Sequence, residues 1–161
     1  MNWEAIGAVG ELLGAAAVVF TLGYLAVQVR HAKTATADQS RLYRANAVQE
    51  LILQTSRDEE LRMLQTKAWG FEQYYLGFAE ELGITIEQAT KLDWGNCYYF
   101  WMWRGQYACT TESKDMKELE HIVATMGGIP SMRAHWENSP ISRPMLDSDY
   151  VKFVDAVLAK Q

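Results

Sequence analysis

Apolar residues dominate the chain from Ala5 to Val29, which reads AIGAVGELLGAAAVVFTLGYLAVQV and carries one charge, Glu11. At ~1.5 Å rise per residue, about 20 such residues cross a hydrocarbon layer of ~30 Å. This pattern predicts a transmembrane helix over residues 1–30. After Gly23 the next glycine is Gly70, and the first proline is Pro130. Without a breaker, the helix is expected to continue through a juxtamembrane stretch, residues 31–55, rich in Ala, Gln, Arg and Leu. An unbroken helix over residues 4–55 would be ~78 Å long.

Beyond residue 55 the pattern changes to shorter amphipathic segments, and residues 56–161 read as one α-helical domain. Ser56 and Glu59 have the form of a capping box and predict a second helix with Leu61, Leu64 and Ala68 on one face. Gly70 and Gly77 are expected to mark its end region. Thr85 and Gln88 repeat the cap and open a helix over roughly 86–109. A further helix is expected from about Lys114 to Met126, stopped by Gly127 and Gly128. Pro130 starts a short one through Trp136, and Pro140 and Pro144 enforce a loop. Asp147 or Ser148 caps the last helix, Tyr150 to Ala159. No strand-like alternation persists. The expected fold class is all-α: a transmembrane helix continuing into a cytoplasmic helical bundle.

Charge sets the expected orientation. No Lys or Arg precedes the apolar segment, while Arg30, Lys33, Arg41 and Arg44 follow it. Positive residues beside a span stay in the cytoplasm, which places the N-terminus outside and the rest of the chain inside. A cleaved signal peptide needs a basic start that Met1-Asn2-Trp3-Glu4 does not supply. The competing expectation is a buried helix of a soluble protein. The net charge of -5 is divided: residues 1–57 hold five Lys/Arg and four Asp/Glu, and residues 58–161 hold ten and sixteen. The acidic distal part argues against a nucleic-acid partner. Cys97 and Cys109 are too few for a disulfide framework.

Three places carry a resemblance. They are the opening Trp3-Glu4-Ala5-Ile6-Gly7-Ala8-Val9-Gly10-Glu11, the close of the apolar segment Tyr24-Leu25-Ala26-Val27-Gln28-Val29-Arg30, and Arg133-Ala134-His135-Trp136-Glu137 before the last helix. The chain resembles a family of small, uncharacterised bacterial single-pass membrane proteins. The resemblance implies one span followed by a cytoplasmic helical domain at the inner membrane. It implies no activity, cofactor or catalytic residue.

Candidate chemistry is sparse. Gly7, Gly10, Gly14, Ala17 and Thr21 follow a 3-4-3-4 spacing along one helix seam. Small residues let helix backbones approach within lipid, so the seam is a candidate helix–helix interface. Glu11 adjoins it, and reads as an interhelical clamp, a headgroup-level residue or part of an ion pathway. Trp94, Tyr98, Trp101, Trp103 and Tyr107 crowd one helix as core or contact aromatics. The first two of these with Trp101 and Tyr107 are expected to pack against Leu92, Leu119, Ile122, Val151 and Val154. Glu118 and His121 form a single E-x-x-H, which reads as a solvated face rather than a metal site. His135 reads as a loop-packing residue beside Trp136. No catalytic, metal or cofactor residue is expected.

The pattern points to a non-enzymatic oligomerising scaffold or accessory subunit of a larger membrane complex. Its expected partners are the lipid bilayer and either further copies or another membrane protein. Two other classes stay open. One is a small oligomeric cation channel lined by Glu11 and the seam. The other is a membrane-tethered ligand-binding or enzymatic helical domain.

Overall fold

A computed structural model describes the backbone of residues 3–161, and the side chains of all of these except residues 3–6, 9, 12, 38 and 41. The helices are α1 Trp3–Arg57, α2 Glu59–Ala68, α3 Glu72–Leu82, α4 Ile86–Cys109, α5 Ser113–Gly127, α6 Pro130–Asn138 and α7 Ser148–Leu158. A 3-10 turn, Arg143–Met145, lies between the last two. Among the described residues there is no strand, so the all-α class agrees with the pattern. The chain forms two compact units, Met1–Arg41 and Leu42–Gln161.

The first unit is the N-terminal part of α1. Every side chain from residue 13 to residue 29 is exposed, Phe20, Leu22, Leu25 and Val27 among them. Among the described residues this is the one helix long and apolar enough to cross a membrane, by length and composition. The Thr-rich stretch does not break it. The hydroxyls of Thr21, Thr34 and Thr36 donate to the carbonyls of Ala17, Arg30 and Ala32 four residues back, at 2.8, 3.2 and 2.9 Å. Each polar group is thereby satisfied inside the helix.

In the second unit α4 is central, packing on α2, α3, α5 and α6, while α5 also packs on α6 and α7. The Thr85–Gln88 capping box opens α4 as expected: Gln88 N–H donates to Thr85 Oγ1 at 3.3 Å, and Thr85 N–H to Gln88 Oε1 at 3.0 Å. Asp147 caps α7 by accepting from Tyr150 N–H at 3.0 Å. The Asp147 carboxyl lies below its ordinary range: burial would raise it, but the Tyr150 N–H and the Arg104 guanidinium outweigh that.

Three expectations fail here. Ser56 does not start α2; α1 runs on to Arg57, and Asp58 caps α2 through Leu61 N–H at 2.9 Å. The face with Leu64 and Ala68 is exposed, and α2 instead buries Arg62 and Thr66. Gly77 ends nothing, since it lies inside α3. The terminators are Gly70 and Gly83, at φ 73° and 65°, a left-handed conformation that glycine adopts without steric cost.

Candidate functional site

On α4, residues 89, 93, 96, 97, 100 and 103 are buried, at the spacing of one face of a helix. Most are apolar or small, but Asp93 is in phase with them and fully buried. Its carboxylate collects partners from three other segments. Oδ1 accepts from the Tyr74 hydroxyl of α3 at 2.6 Å and lies 2.6 Å from His135 Nδ1 of α6. Oδ2 accepts from the Tyr75 hydroxyl at 3.0 Å and the Ser139 hydroxyl at 3.1 Å. An ionised carboxylate is acceptor-only, with about four lone-pair sites. All are filled, and His135 Nδ1 therefore carries a proton toward Asp93.

The second ring nitrogen of His135 faces Ser142 Oγ at 2.6 Å. In the tautomer with its one proton on Nδ1, Nε2 is the acceptor for the Ser142 hydroxyl. Phe100 stacks on the imidazole at 5.5 Å and 11°, supplying an apolar wall. Cys97 lies beside this group, its thiol donating to the Ile141 carbonyl at 3.5 Å. Burial pushes that thiol up to about 12, and only Cys109 of the two cysteines is exposed. Ser142, His135 and Asp93 thus stand in the order of a nucleophile, base and orienting acid. Each of the three is 0% exposed.

The same geometry has a pH consequence. Burial raises the phenols of Tyr74, Tyr75 and Tyr150 above their ordinary value, helped by the charge of Asp93 for the first two and of Asp147 for the third. Unfolded tyrosine ionises at about 10. Above that pH the folded chain holds more protons than the unfolded one. The stabilisation is therefore fully present below about pH 10 and declines above it, by about 1.4 kcal/mol per pH unit for each tyrosine. Urea midpoints should hold steady to pH 9 and fall steeply by pH 11. A flat profile would mean the phenols are solvated.

Of the aromatics singled out in the sequence, Trp94 and Trp103 are buried at 6% and 1%, while Tyr98, Trp101 and Tyr107 are only partly buried. Leu119 and Val154 are buried; Leu92, Ile122 and Val151 are partly so. The weight of the core sits on Trp103 together with three residues not singled out as core aromatics, Phe100, Trp136 and Tyr150. Trp136 stacks on Phe100 at 4.7 Å and donates its indole N–H to Asp155 at 2.8 Å.

Gly7, Gly10, Glu11, Gly14, Ala17 and Thr21 are all exposed, and nothing lies within 4 Å of a Cβ built at Gly7, Gly10 or Gly14. Trp3 to Ile6 and Val9 of the opening pattern, and Arg41 of the basic cluster, lie outside the described side chains. Glu118 and His121 are exposed on α5, and among the described residues no group of His, Cys, Asp and Glu is arranged for a metal ion. His135, read in the sequence as loop packing, belongs to α6 and to the centre of the polar network. The legible signal for that network was a carboxylate, Asp93, in phase with an otherwise buried stripe. Comparison with known proteins finds no matching family model, no similar curated sequence and no similar solved structure.

Proposed function

We propose that the chain is a single-span protein of the bacterial inner membrane whose cytoplasmic helical domain serves as a non-enzymatic scaffold or accessory subunit. The observation that supports the anchor is the exposure of residues 13–29 on every side of α1. A soluble monomer rarely leaves so long an apolar surface uncovered. A lipid environment covers it without a specific partner for each residue. The fully filled Asp93 network supports a structural role for the domain, since its polar atoms are already used on one another.

Reporter fusions at Gln161 test the topology and should report a cytoplasmic C-terminus; a periplasmic signal would overturn it. Crosslinking in membranes tests assembly. If the seam faces another helix, Gly10→Leu should reduce crosslinked species at least severalfold, while Val19→Leu, off the seam, should not. A wild-type chain that is monomeric and unpartnered in native membranes would end the scaffold reading.

A second reading, an acyl-transfer enzyme in the tethered domain, is favoured by the Ser142–His135–Asp93 geometry. Their complete burial counts against it. A fluorophosphonate reagent that labels Ser142 in the folded protein would establish the enzyme; the scaffold reading expects no label.

A further inference from the structure

Arg62 is a buried cation. It sits on the inward face of α2 and is 2% exposed, and among the described residues no carboxylate oxygen comes within 4.0 Å of its guanidinium. An arginine stays charged under all ordinary conditions, and a buried charge without a counter-charge costs several kcal/mol, about as much as a small fold has to spare.

The protein meets part of this need. Nη1 donates to the Ser56 carbonyl at 2.6 Å and approaches the Thr55 carbonyl at 3.5 Å, both at the C-terminal end of α1. Those carbonyls carry the partial negative charge of a helix end. Nε donates to Thr90 Oγ1 at 3.4 Å. Nη2 has no partner among these bonds.

Residues that adjoin Arg62 on α2, or whose backbone meets it at the end of α1, carry polar groups that are also unmatched. Thr55 Oγ1, Thr66 Oγ1 and Gln65 Oε1 are buried without a hydrogen-bond partner. Thr66 follows Arg62 by four residues and Gln65 by three, which puts both on its side of α2. Thr55 is the residue whose carbonyl Nη1 approaches. Gln65 Oε1 can only accept. The two free hydroxyls and the guanidinium edge, by contrast, have one chemistry in common. All donate hydrogen bonds to an anion.

We propose that Arg62, Thr55 and Thr66 form a binding site for a small monatomic anion, of which chloride is the natural example. Size follows from burial: Thr55 is 0% and Thr66 2% exposed, which leaves no open cleft for an organic phosphate. Charge follows from the guanidinium, which one monovalent anion neutralises. The anion would couple the end of α1 to α2 and α4, because its ligands come from the first two and Thr90 of the third holds the arginine in place.

The test is thermal unfolding of the full chain in detergent micelles, in sodium chloride, sodium bromide or sodium gluconate at equal ionic strength. A ligand that binds only the folded state raises the melting temperature with the logarithm of its concentration. Chloride and bromide should do so and gluconate should not. Arg62→Met should abolish the difference. Should that variant fail to fold, Thr55→Val and Thr66→Val serve instead. Each should raise the halide concentration needed for a given shift about tenfold, the loss expected for one hydrogen bond to a charged group. Equal melting in halide and gluconate would overturn the proposal, and so would a halide response that all three variants retain undiminished. Either result would assign the unmatched groups to water.

Discussion

Asp93→Ala is expected to destabilise the helical unit by ~3–5 kcal/mol, the usual cost of removing one partner from a buried charged network. The acid itself is small; the loss lies in what it leaves behind. Tyr74, Tyr75, Ser139 and His135 would each keep a buried donor with no acceptor. Each such group costs about 1–3 kcal/mol, offset where water or a rotamer change relieves it. Domains of this size hold ~5–15 kcal/mol in all, so the melting temperature should fall by about 10 °C or more. Asp93→Asn keeps the shape but turns an NH2 toward two of the donors, and should recover only part of the loss. Circular dichroism melts of the full chain in micelles measure both. An unchanged midpoint for Asp93→Ala would show that the carboxylate does not organise this core.

Trp136→Ala should cost ~3–5 kcal/mol, the range for deleting a buried aromatic side chain. The indole is 1% exposed, stacks on Phe100 and makes an edge contact with Tyr150 at 6.3 Å. Its N–H also holds Asp155, whose second oxygen takes Arg143 at 2.7 Å. The cavity would therefore open where α4, α6 and α7 meet, and Asp155 would keep only its bond from Arg143 of the 3-10 turn. Trp136→Phe retains most of the ring and should lose about 1–2 kcal/mol, mainly the hydrogen bond. Trp101→Ala is the control. That side chain is only partly buried, and its removal should cost clearly less. Equal losses for Trp101→Ala and Trp136→Ala would contradict the packing order described for the core.

The chain's local rules made much of the architecture legible before any contact was known. Long stretches free of Gly and Pro gave the continuous α1, and the caps at Thr85 and Asp147 gave the starts of α4 and α7. These features act between residues three or four apart, where side chain and backbone meet regardless of the rest of the molecule. The apolar run ending at Val29 was legible for the same reason, since length and composition alone mark a helix that could cross a membrane.

The polar interior was not legible in that way. The face α2 buries was misread because Leu64 and Ala68 look like the inward side, whereas Arg62 is drawn in by the end of α1 and by Thr90, and Thr66 lies one turn on from it. Asp93 and His135 stand 42 residues apart, and Asp93 and Ser139 stand 46 apart. Asp93 was passed over as well, although its phase on α4 was a signal that could have singled it out. Its partners lie on elements whose mutual packing no short-range pattern encodes. A buried carboxylate is stable only when several donors converge on it from different directions. Local sequence therefore determined the helices and the apolar character of the first. Tertiary packing decided which polar side chains turn inward, because the free energy of burying a charge depends on every neighbour that surrounds it at once.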